Sequence, residues 1–99
     1  MQIYRLLGTV NTSLEKCYLV EKLTLLGWVV LTQNENDVLL KKDKIQLSIE
    51  GESTLLLNAS FKGKPEDISE VIQCLDSYAD YYALDLFGDS ARLVRRFIK

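Results

Sequence analysis

The stretch that decides the fold reads Ile45-Gln46-Leu47-Ser48-Ile49-Glu50. Apolar and polar residues alternate along it, and successive side chains of a β-strand point to opposite faces of a sheet. The stretch is therefore predicted to be a strand with one buried and one wet face, as in an antiparallel sheet. Short apolar runs separated by turn residues lie on both sides of it and predict an antiparallel meander. The predicted strands of this meander are residues 28–32, 37–42, 45–50 and 54–61.

The meander is preceded by one predicted strand and one predicted helix. Residues 2–10 are rich in strand formers and end at the polar cluster Asn11-Thr12-Ser13. Thr12 and Glu15 have the spacing of a capping box, in which the two side chains satisfy free amides at the start of a helix. A helix over residues 13–26 is predicted, and it should end at Gly27, because glycine readily takes the left-handed conformation found at helix ends.

A second helix is predicted after the meander. Pro65 suits the first helical position, and the acids Glu66 and Asp67 follow where the helix dipole favours negative charge. Apolar residues then recur at steps of three and four, which predicts a stripe that faces the sheet. These residues are Ile68, Val71, Ile72, Leu75, Ala79 and Tyr82.

The end of the chain is predicted as a short strand or a helix. Tyr81–Phe87 fits a closing strand, but the helical period could equally continue to Phe87, and Gly88 ends either element. Beyond it, a last short helix would turn Leu93, Val94, Phe97 and Ile98 inward.

These elements predict a single α+β domain over residues 1–99, built as a two-layer sandwich. An antiparallel sheet of about five strands should carry the helices on one face, in the order strand, helix, four strands, helix. The order is similar to that of ferredoxin-like domains if Tyr81–Phe87 is a strand. It is similar to the TATA-binding-protein-like arrangement if that segment is helical.

Composition predicts where the protein works. No apolar run approaches the roughly 20 residues that span a bilayer, and residues 1–10 do not resemble a secretion signal. We therefore expect a cytoplasmic protein without membrane contact. The net charge of −2 argues against a surface built throughout for nucleic-acid phosphates.

Several kinds of catalytic site are excluded by residues that the sequence lacks. It contains no histidine, the commonest general base and transition-metal ligand, and no glycine-rich phosphate loop. Cys17 and Cys74 lack the spacing of a metal or redox site, and both are expected to be buried and unpaired. The sequence predicts a protein that is not an enzyme and has neither cofactor nor metal.

Acidic residues of the second half are the strongest remaining candidates for chemistry. Carboxylates can hold a divalent cation, and Asp76 and Asp80 would lie one turn apart on a helix. The favoured interpretation is a solvated helix face, because the acids fall off the apolar stripe. The residues are Glu66, Asp67, Glu70, Asp76, Asp80, Asp85 and Asp89.

Candidate binding residues occupy the C-terminus. Arg92, Arg95, Arg96 and Lys99 are cationic, no acid lies among them, and the predicted helix places them on one face. Guanidinium groups bind phosphates and carboxylates bidentately, although basic residues also suit the C-terminus of any helix. The lysines at 41, 42 and 44 are typical of a hairpin tip or an edge strand.

Together these features predict a small non-enzymatic accessory or protein–protein interaction domain. Its partner would be another protein or a second copy, as in a homodimer. A nucleic-acid-binding domain that uses the C-terminal arginines is the alternative.

Overall fold

The computed structural model describes residues 2–99 and alternates short helices with long runs of strand. The strands are β1 (Gln2–Asn11), β2 (Val29–Gln33), β3 (Asp37–Lys42), β4 (Ile45–Glu50), β5 (Thr54–Gly63), β6 (Tyr81–Phe87) and β7 (Leu93–Ile98). The helices are α1 (Lys16–Leu25) and α2 (Ser69–Tyr78), with 3₁₀ turns at Pro65–Ile68 and Asp89–Ala91. The protein is an α+β fold, and its elements follow the predicted order as far as α2.

All strands belong to one antiparallel sheet with the spatial order β2-β3-β4-β5-β1-β6-β7. Within residues 2–99 the sheet has seven strands, where the sequence predicted about five. The ferredoxin-like topology is not confirmed. Tyr81–Phe87 forms a strand, so the condition for the TATA-binding-protein-like arrangement is not met.

One face of the sheet forms the core together with both helices. Alternate residues of the central strands are buried, among them Leu6, Leu57 and Leu84, and they join one apolar cluster with Leu23 of α1 and Leu75 of α2. The alternation follows from the pleat, which sends every second side chain to the same face. The predicted placement of the helices on one face is confirmed.

The start of α1 differs from the prediction. Thr12 Oγ1 accepts a bond from the Leu14 amide at 3.0 Å and donates to the Tyr78 carbonyl, so the predicted reciprocal pair with Glu15 does not form. The hydroxyl instead joins the end of β1 to the end of α2. The helix begins at Lys16, three residues later than expected.

The end of α1 is as predicted. Gly27 has φ +100° and its amide donates to the Thr24 carbonyl, while the Trp28 amide donates to the Leu23 carbonyl, both at 3.1 Å. This pair of bonds is the Schellman motif, which satisfies carbonyls left free at a helix end. Gly27 thus turns the chain from α1 into β2.

The second helix starts at Pro65 in a 3₁₀ turn, and the Asp67 carboxylate accepts a bond from the Lys64 amide at 3.0 Å. Its predicted stripe is buried from Ile68 to Leu75, as expected. Ala79 and Tyr82 are buried too, but they follow the end of the helix, and Tyr82 belongs to β6.

The last segment pairs with β6 as a strand and is not the predicted helix, and it contains a β-bulge. Leu86 pairs with Arg95 and Phe87 with Leu93, which leaves Val94 as an extra residue. The extra residue breaks the alternation of the strand. The apolar residues therefore fall at a spacing that imitates a helix.

A polar cluster ties the helix layer to the sheet. The Glu70 carboxylate accepts bonds from Lys42 Nζ at 2.8 Å and from Trp28 Nε1 at 3.0 Å, and Lys42 also donates to the Leu26 carbonyl. The bond from Lys42 is the main reason that the pKa of Glu70 lies below its usual value, and burial opposes this effect. Lys42 is therefore a structural cation.

Candidate functional site

The candidate site is the face of the sheet that the helices do not cover, called the open face here. Neither α1 nor α2 packs on this side, and the 3₁₀ turn Asp89–Ala91 borders it beside Arg5 and Phe87. The strand register arranges its side chains in three rows that run across the strands. The cationic row contains Lys41, Gln46, Ser60, Arg5, Phe87 and Leu93. The middle row contains Leu39, Ser48, Asn58, Leu7, Asp85 and Arg96. The acidic row contains Asp37, Glu50, Leu56, Thr9, Ala83 and Ile98.

Large apolar side chains are exposed on the open face. Leu56 is 48% exposed, Leu93 49% and Ile98 68%, and Tyr81 on β6 is 58% exposed. An antiparallel sheet with one face in water usually carries polar residues there. They lie on β5, β6 and β7, and Ile3 of β1 and Val29 of β2 are exposed on the same face, so apolar side chains stand between polar ones across the sheet.

Apart from the Asp85–Arg96 pair of the middle row, charges on the open face are separated by sign. Lys41 and Arg5 lie in the cationic row, and Asp37 and Glu50 are direct cross-strand partners in the acidic row. The two rows are four residues apart along a strand, about 13 Å at the rise of an extended chain. Like charges directly opposite each other destabilise a sheet, so the pair Asp37 and Glu50 favours an approaching cation.

Shallow depressions follow the cationic row. One of about 460 Å³ lies among Lys41, Gln46 and Lys62, and another of about 330 Å³ lies between Arg5 and Asn58. Both are wide open to solvent. Depressions of this shape suit side chains of a macromolecular partner better than an enclosed small molecule.

The predicted cluster of Arg92, Arg95, Arg96 and Lys99 does not share one face. Because β7 is a strand, Arg95 points to the helix side, where its guanidinium lies 4.7 Å from the centre of the Phe97 ring. Arg96 points to the open face. Arg92 lies before the strand and is exposed.

Two of these four cations already have partners within the chain. Arg96 Nε donates to Asp85 at 2.7 Å, and this bond lowers the pKa of Asp85 and raises the pKa of Arg96. Lys99 Nζ donates to the carbonyls of Asp76 and Ala79 near the end of α2. The helical arrangement predicted for the four residues is wrong, while their role in binding stays a prediction.

The acids of the second half are not arranged as a cation site. α2 ends at Tyr78, so Asp76 and Asp80 are not one helical turn apart. Within residues 2–99, no three histidine, cysteine or acidic side chains are placed to hold a metal ion. Asp76 accepts a bond from the Tyr82 hydroxyl, and burial together with this bond raises the pKa of Tyr82 to about 12.

The two cysteines differ in their surroundings. Cys74 is buried against the core, as expected, and burial raises the pKa of its thiol. Cys17 is exposed, which corrects the expectation, because α1 buries only Leu19 and Leu23. Both thiols are free.

In comparisons with known proteins, the chain matches no family model, no curated protein and no solved structure. Neither α1 nor α2, in the part of the chain from residue 2 to 99, is long and apolar enough to cross a membrane.

Sequence reasoning did not identify which residues of different strands share the open face. The signal for the face itself was present in the alternation of residues 45–50, which predicted one wet face. Lys41 lies next to the tip of the β3–β4 hairpin, as predicted, but β3 is paired on both sides and is not an edge strand, and Lys41 lies in the cationic row. Which residues of other strands stand beside Lys41 depends on the register, and no local pattern reveals that.

Proposed function

We propose that the protein is a small non-enzymatic interaction domain whose open face binds another protein. The supporting observation is the exposure of Leu56, Leu93 and Ile98 beside separated charges on one face of the sheet. Large apolar side chains exposed together on one face favour an interaction site. Burying such side chains contributes about 25 cal/mol for each Å² of apolar surface removed from water.

The outer side of α1 is the rival surface on this molecule. Leu25 is 80% exposed and Tyr18 52% exposed there. Charged residues Glu21 and Lys22 lie between them in the sequence, and scattered exposed apolar residues are common on monomers. On the open face, in contrast, Leu93 and Ile98 of β7 pair directly with Phe87 and Ala83 of the adjacent strand β6, so we favour the open face.

Photo-crosslinking in cells of the source organism tests the proposal. We expect the variant Leu56→p-benzoylphenylalanine to form covalent protein adducts on irradiation, because the probe lies within the open face. The matched control is Leu25→p-benzoylphenylalanine, which puts the same probe at an exposed leucine of α1. Adducts are detected by denaturing electrophoresis and identified by mass spectrometry.

The control at Leu25 distinguishes binding at the open face from binding at α1. Adducts from the Leu25 position alone would move the interaction to α1. If neither position forms a protein adduct, the proposed function is wrong.

A second candidate function is the binding of single-stranded nucleic acid along the cationic row. Lys41, Arg5 and Lys62 border the depressions of the open face, and cationic grooves track phosphate backbones. This surface replaces the C-terminal arginines as the site for that function, because two of those cations are bound within the chain.

Salt dependence tests this second candidate. We expect the affinity for a short single-stranded oligonucleotide to fall steeply with salt, with a slope of about 0.7 per phosphate contact. The double substitution Lys41→Ala and Arg5→Ala should flatten the slope by about two contacts, and Arg92→Ala should leave it unchanged. Fluorescence anisotropy at several salt concentrations measures the slope, and a slope near zero would exclude nucleic acid.

A further inference from the structure

We infer that the protein bound by the open face is a second copy of this chain, joined about a two-fold axis that lies between the two sheets and runs across the strands. This inference rests on the proposed function, since it names the partner of the same surface. It follows from the edges of the sheet, the placement of charge and the size of the face.

The edges of the sheet are poor sites for a second copy. β2 carries a register shift between Val30 and Thr32, and β7 carries the bulge at Val94. A bulge twists a strand and interrupts its row of backbone donors and acceptors, which blocks pairing with another chain. Edge-to-edge strand pairing of two copies is therefore disfavoured, and of the two remaining apolar surfaces, the open face and the outer side of α1, we favour the open face.

Lys41 and Asp37 of the open face are complementary about this axis, and the Asp85–Arg96 ion pair of the middle row lies over the same neutral pair of the second copy. A two-fold rotation about a line across the strands keeps each strand over its own copy and reverses its direction. The cationic row of one copy then lies over the acidic row of the other, and Lys41 faces Asp37. An axis parallel to the strands would instead place the cationic row on the cationic row.

The same rotation brings apolar residues together on the other half of the face. Leu93 of one copy faces Ile98 of the second, Phe87 faces Ala83, and Leu7 in the middle row faces its own counterpart. Aligned sheets pack about 10 Å apart and within about 30° of each other, which brings such side chains into contact. The apolar residues of β6 and β7 thus meet apolar residues of the second copy on either side of the Asp85–Arg96 pairs.

The open face has the size that a stable dimer requires. Seven strands at the usual spacing span about 29 Å, and the molecule measures 33 × 26 × 20 Å. A stable interface buries on the order of 800 Å² on each partner. A face of these dimensions can supply that area.

Charge reversal tests the two-fold arrangement. Lys41→Asp and Asp37→Lys should each weaken dimerisation at least about tenfold, because like charges then face each other twice in the dimer. An equimolar mixture of the two variants should form mixed dimers with near wild-type affinity, because both contacts regain opposite charges. Sedimentation velocity over a range of concentrations measures the dissociation constants, and thermal unfolding of each variant confirms that it is folded.

The outcomes separate this inference from the proposed function. Wild-type protein that stays monomeric while Leu56 forms adducts with a different protein overturns the inference and leaves the proposed function standing. Monomeric protein without any adduct overturns both. A dimer that neither reversal weakens, or a mixture that associates no better than the single variants, shows that the two-fold arrangement is wrong.

Discussion

The substitution Gly8→Ala is expected to lower the free energy of unfolding by about 3 kcal/mol or more, at the upper end of the usual cost of overpacking. A Cβ atom at position 8 would lie 2.1 Å from the Ala83 carbonyl oxygen and 2.7 Å from Leu84 Cα. Both are backbone atoms of β6, so no side-chain rotation relieves the contact. β6 would have to move away from β1, and the bonds between the two strands would weaken.

Urea unfolding, followed by the fluorescence of the single tryptophan, measures this loss, because Trp28 is 3% exposed and reports on the core. The matched control is Gly27→Ala. Its Cβ would meet only the end of the Lys42 side chain, at 3.6 Å, but the backbone has φ +100°. We expect a cost of about 1 kcal/mol there, from conformation alone. A Gly8→Ala variant as stable as the Gly27→Ala variant would contradict the close approach of β1 and β6.

The second large effect is expected at Leu57, in the centre of the sheet. Leu57→Ala should lower the free energy of unfolding by about 3 to 5 kcal/mol, because a fully buried leucine leaves a cavity when it is truncated. Its neighbour Leu56 is 48% exposed on the open face, so Leu56→Ala should cost less than about 1 kcal/mol. Chemical denaturation of the two variants measures the difference.

This pair of leucines also separates folding from association. Leu56→Ala should leave the monomer folded and weaken binding at the open face, whereas Leu57→Ala should act on folding. Equal losses of unfolding free energy at the two positions would mean that another part of the same chain buries Leu56 in the monomer. The open face would then not be a free surface.

Short sequence patterns correctly predicted one strand and two helix boundaries, each of which depends on a few neighbouring residues. The alternation of residues 45–50 gave β4 its bounds, Gly27 ended α1 as expected, and Pro65 marked the start of the second helical segment. Each of these features depends on a few neighbouring residues and on one conformational preference. The helices on one face of an antiparallel sheet followed from the same patterns.

The predictions were wrong at the start of α1 and at the C-terminal segment, where a local pattern competes with a contact from a distant part of the chain. Thr12 has the spacing of a capping box, but its hydroxyl reaches the carbonyl of Tyr78, which is distant in the sequence. The bulge at Val94 gave β7 the spacing of a helix. In both places a contact from elsewhere in the chain outweighs the local preference.

Tertiary structure determines most of which residues stand side by side in the candidate site. The sequence by itself determined an α+β chain, the wet face of β4 and the absence of histidine chemistry. The local β3–β4 hairpin pairs Asp37 with Glu50, whereas only the strand order placed Lys41 and Arg5 in one row. The physical reason is that the register of distant strands is set by hydrogen bonds and core packing between segments far apart in the chain, so no short stretch of sequence encodes it.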